Sequence, residues 1–80
     1  MRIGEAVRER IYYLCDERNI TVNMLATRSG VTQSTLNNIV GGRNNSTTVA
    51  TLQKLCDGLG ISIIEFFSND LFKNIEQEVK

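Results

Sequence analysis

The pattern that most constrains this chain lies between Ile20 and Gly42, where two short helices are predicted on either side of a tight turn. Ser29, Gly30 and Val31 form the predicted turn, because glycine adopts the left-handed conformation that ends a helix without the penalty that a Cβ brings. Thr32 is the predicted N-cap of the second helix, since its hydroxyl can accept from a backbone N–H in the first turn. The sequence therefore predicts a compact unit of helix, turn and helix.

The second of these helices carries an uncharged polar face. At about 100° per residue, Leu36 and Ile39 share one side, with Val40 at its margin. Amide and hydroxyl side chains cluster on the opposite side: Gln33, Ser34, Asn37 and Asn38. Asn and Ser are poor helix formers, so helix stability does not explain their use, whereas Gln and Asn can pair bidentately with adenine in a major groove. The pattern favours base readout over a polar surface that arose by chance.

The spacing of many residues along the chain resembles a known family. The matching positions are Leu25-Ala26, Gly30 through Ser34, Leu36, Ile39, Gly42, Thr51-Leu52, Leu55, Leu59-Gly60-Ile61 and Glu65-Phe66-Phe67. They are similar to the helix-turn-helix regulators of the phage repressor and Cro type, the XRE family, over residues 3–67. The resemblance implies an all-α fold, a compact five-helix domain like that of lambda repressor, which binds double-stranded operator DNA, usually as a homodimer.

The charge distribution agrees with a DNA partner, although the chain has nine basic and nine acidic residues and no net charge. Residues 18–56 contain four cations and no Asp or Glu. A one-sided field of this kind can steer a polyanion despite the neutral total. From this block and the resemblance we predict the phosphate contacts to be Thr21, Asn23, Arg28, Thr32, Arg43, Asn44 and Asn45.

The predicted domain organisation is a DNA-binding domain over residues 1–67, with its motif at 21–41, followed by a helix or arm over 68–80. The fifth helix of the predicted domain is apolar on nearly every side. This is more apolar surface than one core face requires, so it indicates either a subunit interface or a surface that the tail covers. The tail itself repeats apolar residues at helical spacing and either folds back or dimerises. The predicted dimer interface comprises Ile63, Phe67, Leu71, Phe72, Ile75 and Val79.

The two cysteines, Cys15 and Cys56, are predicted to be buried thiols, because their spacing is not that of zinc ligands and the chain has no His. Many relatives place Arg where this chain has Cys15 and Glu where it has Val40. A buried ion pair can be exchanged for apolar residues at little cost, so this departure is compatible with the resemblance.

Other functions are less well supported by the sequence. An antitoxin that neutralises a toxin through its apolar tail, and autoregulates its operon, is the alternative, since the resembled fold serves in both. Catalysis is not predicted, because the chain has no His, no paired nucleophile and base, and no Gly-rich phosphate loop tied to a strand. We predict no cofactor and no metal. Without a signal peptide or an apolar run of membrane length, the expected location is the cytoplasm.

Overall fold

The computed structural model describes residues 1–41, 47–77 and 79. Within them the helices are α1 (Ile3–Glu17), α2 (Val22–Ser29), α3 (Gln33–Val40), α4 (Val49–Leu59), α5 (Ile63–Phe67) and a 3₁₀-helix (Asp70–Phe72). The described part of the chain contains no strand. The predicted all-α fold with five α-helices is confirmed.

Local capping interactions begin the helices, and the cap predicted at Thr32 is among them. Each of α2, α3 and α4 starts at a threonine whose Oγ1 accepts from the backbone N–H three residues on, at 3.0–3.1 Å: Thr21, Thr32 and Thr48. At α5 the capping box is reciprocal, with Ser62 Oγ accepting from the Glu65 N–H at 3.0 Å and the carboxylate accepting from the Ser62 N–H at 3.2 Å. A cap is typically worth ~1 kcal/mol, a large contribution for a helix of five residues.

Three of the helices end at a residue with positive φ. These residues are Asn19 (φ 54°) after α1, Gly30 (φ 68°) after α2 and Gly60 (φ 73°) after α4. Glycine takes this conformation without strain, and Asn is among the few side chains that tolerate it. Gly58 lies inside α4, where α4 approaches α2 so closely that a Cβ would be 3.2 Å from the Ser29 backbone nitrogen.

In the core, α2 packs against α1, α3 and α4, while α1 also packs against α3 and the 3₁₀-helix, and α5 packs against α4. The first helix contributes Val7, Ile11 and Leu14 as buried side chains, with Ile3 at the core's edge. The largest fully buried side chains come from all five α-helices: Ile11, Leu25, Leu36, Leu55, Cys56 and Phe66. Each helix therefore buries its apolar face only by packing against the others.

A buried cation, Arg10, fastens α5 to α1 and was not predicted. Its side chain is 8% exposed. Nε donates to the Phe66 carbonyl at 2.7 Å and Nη2 donates to the Glu65 carbonyl at 2.9 Å. These carbonyls lie at the C-terminal end of α5, where a helix leaves its acceptors unpaired and its dipole favours a cation. The Tyr13 ring lies beside the guanidinium, with its centroid 5.6 Å from Cζ.

A second arginine, Arg18, directly follows α1 and caps α4 in the same way. Arg18 Nε donates to the Leu59 carbonyl at 3.2 Å, and its Nη1 lies 3.0 Å from the Glu17 carboxylate. The C-terminal ends of α4 and α5 are thus held by arginines in α1 and at its C-cap. Neither contact has a local sequence signature, because the partners are 41 to 56 residues apart.

The tail was predicted to be either a short helix that folds back or a dimerisation arm. Its spacing favoured helical structure as far as Val79, but in the described residues the only helix after α5 is the 3₁₀-helix Asp70–Phe72. Phe72 packs back on α5, with its ring centroid 4.8 Å from that of Phe67 and 6.0 Å from that of Phe66. Helical spacing misled here because a few aromatic contacts with α5 fix the backbone of this short segment more strongly than its weak helix propensity.

Replacing Arg10 with Met tests the capping of α5. We expect Arg10→Met to lower the free energy of unfolding by about 2–4 kcal/mol, because one buried and one partly buried carbonyl lose a charged donor. Urea denaturation followed by circular dichroism measures this change. The matched control is Arg8→Met in the same helix, whose ion pair with Glu9 spans 4.0 Å at the surface, and it should change stability by less than about 0.5 kcal/mol. Equal losses in both variants would contradict the capping role.

Candidate nucleic-acid interface

The turn between α2 and α3 holds the two helices in a fixed relation. Gly30 adopts the left-handed conformation (φ 68°, ψ 24°), and the Val31 N–H donates to the Ala26 carbonyl at 3.1 Å. Thr32 then caps α3 and also donates to the Thr35 hydroxyl at 2.8 Å. The predicted turn and cap are confirmed, and only three residues separate α2 from α3.

The two sides of α3 differ as the sequence predicted. Leu36, Ile39 and Val40 are buried in the core. The four predicted base-reading side chains are all exposed: Gln33, Ser34, Asn37 and Asn38. Thr35 is exposed beside them and was not predicted, because at about 100° per residue it lies at the flank between the buried and the outer side of α3. The outer side of α3 therefore offers amides and hydroxyls without any charged group.

Three helix N-termini lack an acidic residue. The first turns of α2, α3 and α4 contain no Asp or Glu, whereas those of α1 and α5 contain Glu5 and Glu65. Unpaired N–H groups and the helix dipole make a helix N-terminus attractive to anions, and a carboxylate in the first turn cancels this. The helices of the motif and the one after it thus keep N-termini that can accept phosphate.

The cations of the acid-free block have different surroundings. Arg18 is engaged with the end of α4 and with Glu17. Arg28 and Lys54 are exposed, and neither forms an ion pair within the described residues. The structure therefore adds Lys54 to the cations available to an anionic partner. The predicted contacts Arg43, Asn44 and Asn45 lie outside the described residues.

The remaining predicted phosphate contacts lie on the exposed side of the motif. Thr21 and Thr32 are exposed N-caps, and each hydroxyl is already engaged with the first turn of its helix. Asn23 is exposed in the first turn of α2, and its backbone carbonyl accepts from the Thr27 hydroxyl at 3.2 Å. Thr21 and Asn23 share the N-terminal end of α2, and Thr32 opens α3.

The predicted dimer residues lie largely within the chain's own packing. Ile63, Phe67, Leu71, Phe72 and Ile75 are half-buried, and Val79 is 86% exposed. Ile64, which was not among them, is 78% exposed on α5. Periodicity could not separate Ile63 from Ile64, because a helix of five residues has too few turns to define its inner face.

The thiols offer no reactive site. Cys15 and Cys56 are free and buried, as predicted. Burial raises the pKa of both thiols, and Asp57 raises that of Cys56 further, against weaker opposing effects of Arg18 on Cys15 and Arg10 on Cys56. Protonated thiols are poor nucleophiles and metal ligands. Among the described residues there is no cluster of His, Cys, Asp and Glu suited to a metal, and none of their helices has the length and apolarity needed to cross a membrane.

Comparison with known proteins gives a consistent family. The helix-turn-helix family model HTH_3 matches residues 11–66. The HTH-type transcriptional repressor RghR of Bacillus subtilis (strain 168) is 39% identical over 57 residues, which are 71% of this chain and 42% of the repressor. This chain thus spans less than half the length of that relative.

Two solved structures share the fold. The crystal structure of the prophage Lp1 protein 11 superposes with a TM-score of 0.81 at 37% identity, covering 94% of this chain and 100% of that one. An HTH_3 family transcriptional regulator from Vibrio cholerae gives 0.75 at 31% identity, covering 85% of this chain and 38% of its own. With the family model and the relative, these likenesses show that the chain belongs to the HTH_3 helix-turn-helix family, a family of DNA-binding transcriptional regulators and not of enzymes.

Proposed function

We propose that this protein is a sequence-specific repressor that inserts α3 into the major groove of operator DNA. The observation that carries the proposal is the outer side of α3, where Gln33, Ser34, Asn37 and Asn38 are exposed together and uncharged. Amides present a donor and an acceptor side by side, which matches the edge of adenine. Gln33 and Ser34 open the helix, and the N-terminal residues of a recognition helix are those that reach the bases.

The phosphate backbone is held on both sides of α3. The N-termini of α2, α3 and α4 supply N–H groups, and Arg28 supplies a cation without an ion-pair partner in the described residues. Arg43, Asn44 and Asn45 follow α3 in the sequence and complete the proposed set. Contacts of this kind fix the register of the protein on DNA and carry no sequence information.

A homodimer supplies the second half of the operator. One recognition helix reads only a few base pairs, so high specificity requires two half-sites about 34 Å apart. We place the interface in the C-terminal third, centred on the exposed Ile64 and flanked by Ile63 and Phe67. Because a surface this small buries little area, we expect a weak dimer in solution that operator DNA reinforces.

Repression, as opposed to activation, is supported by the similarity to RghR, which is a transcriptional repressor. A domain of this size blocks access to DNA by occupying it. A footprint on the DNA upstream of its own gene tests the proposal, and the expected result is protection of a roughly palindromic site. Binding with no preference over random DNA would contradict it.

Gln33→Ala tests base readout. We expect a loss of about 1–3 kcal/mol in binding to the operator and a relaxed preference at one base pair, because one bidentate contact disappears. Affinity for the operator and for random DNA is measured by fluorescence anisotropy at one salt concentration. The control is Gln77→Ala, the same change at an exposed position of the tail, which should leave both affinities unchanged. An equal loss on operator and random DNA would show that Gln33 does not read a base.

Arg28→Ala tests the phosphate contacts. We expect weaker binding to all sequences alike, and a slope of log affinity against log salt that is smaller by about one, because one fewer counterion is released. Titrations at several salt concentrations give the slope. Lys73→Ala is the control, since Lys73 is exposed on the tail and pairs with Asp70 at 3.0 Å. An unchanged slope in Arg28→Ala would place this residue away from the phosphates, and Arg43→Ala is then the next variant to measure.

Ile64→Asp tests the dimer. Because Ile64 is 78% exposed, the melting temperature of the monomer should be unchanged. We expect operator affinity to fall about 10–100-fold through loss of an interface contact, while affinity for a single half-site is kept. Analytical ultracentrifugation with and without operator DNA measures assembly. Tyr12→Asp changes an exposed residue of α1 (48% exposed) and serves as the control. A similar loss on the half-site and the full operator would exclude Ile64 from the interface.

A further inference from the structure

All three phenylalanines of the chain meet at the C-terminal end of α5. The ring centroids of Phe66 and Phe67 are 5.1 Å apart at an interplanar angle of 75°, and those of Phe67 and Phe72 are 4.8 Å apart at 66°. Both are edge-on arrangements, which aromatic rings prefer. Phe66 is fully buried, so the pairing links the tail directly to the core.

Hydrogen bonds hold the tail along this path. Asn69 Oδ1 accepts from the Leu71 N–H at 3.0 Å and starts the 3₁₀-helix. Four residues after Phe72, the Glu76 N–H donates to the Met1 carbonyl at 3.1 Å. The 3₁₀-helix also packs against α1. The tail therefore runs from the end of α5 across α1 to the first residue.

We propose that residues 69–77 form an intramolecular strap that holds α5 on the core and joins it to the N-terminal end of α1. The reason is the length of α5, because a helix of five residues cannot persist without tertiary contacts. Arg10 holds its carbonyls from the α1 side, and Phe72 covers its aromatic side chains. With the strap removed, Phe67 loses the ring that covers it.

The burial of the strap distinguishes it from a dimerisation arm. An arm presents its apolar side chains to a partner, yet Leu71, Phe72 and Ile75 are half-buried against their own chain. Only Val79, beyond the hydrogen bond of Glu76, is mostly exposed. The strap therefore acts within one subunit, and its role does not depend on the proposed dimer.

The strap and α5 should open together as one local unit, ahead of the helix-turn-helix motif. Local opening follows the number of buried contacts that hold a segment, and both segments share Phe72. The amides of Phe66, Ser68 and Glu76 report this opening, since they donate to Ser62, Ile64 and Met1 carbonyls at 3.0–3.1 Å. The amide of Leu36 donates to the Thr32 carbonyl at 3.1 Å and reports on α3.

Native-state hydrogen exchange of the 80-residue chain, followed by NMR, tests the proposal with Phe72→Ala. We expect exchange at Phe66, Ser68 and Glu76 to become about tenfold faster or more, the change that corresponds to losing one or two aromatic contacts, while exchange at Leu36 stays within about twofold. Val79→Ala, an exposed residue of the same tail, is the control and should alter none of these rates.

Two results would overturn the strap. One is unchanged exchange at these amides in Phe72→Ala. The other is a loss of dimer in ultracentrifugation without faster exchange in the monomer, which would make the tail an arm. If Phe72→Ala unfolds the whole chain, the milder variant Asn69→Ala is used, because it removes only the hydrogen bond that starts the 3₁₀-helix. A uniform increase in the exchange rates of all helices in that variant would also contradict the proposal.

Discussion

Burial of α2 between its neighbours is the interaction on which the rest of the fold depends, because α2 packs against α1, α3 and α4. Isolated helices shorter than about 12–15 residues are marginal in water, and α2, α3, α4 and α5 have 8, 8, 11 and 5 residues. Only α1, with 15 residues, reaches that length. It provides Val7, Ile11 and Leu14 to the core and Arg10, which caps the end of α5, while Arg18 directly after it caps the end of α4. The short helices proposed to contact DNA therefore form only through their packing against the rest of the domain.

The features that sequence could predict are those encoded within four residues. The Thr32 cap and the turn at Gly30 each depend on residues next to the backbone that they affect, so both were recognisable in the sequence. The bonds of Arg10 to the end of α5 span 55 and 56 residues and have no such signature. The position of Phe72 was likewise not predictable. Its spacing favoured a helix, but its position is fixed by the rings of Phe66 and Phe67, which only the folded chain brings near.

The candidate site was predictable for a different reason. A polar residue that is opposite a buried one on a helix must face outward, so the exposure of Ser34 and Asn38, two residues before and after Leu36, follows from the burial of Leu36. It was harder to predict from the sequence which cations are available to an anionic partner. Arg18 was one of four cations in the acid-free block, yet its guanidinium is engaged with Leu59, and Lys54 gains importance because it is exposed. Counting charges gives the sign of a field, whereas folding decides which charges are free to produce it.

The neutral outer side of α3 has a consequence for how affinity arises. Most non-specific affinity for DNA comes from cations that displace counterions, and this surface has none. In the proposed complex the attraction to phosphate comes from Arg28, the following loop and three helix N-termini, each a modest contribution. Binding to random DNA by one subunit is then weak, so the amides of α3 and the pairing of two half-sites supply a large share of operator affinity. A chain with no net charge can in this way bind its operator while spending little time on other sequences.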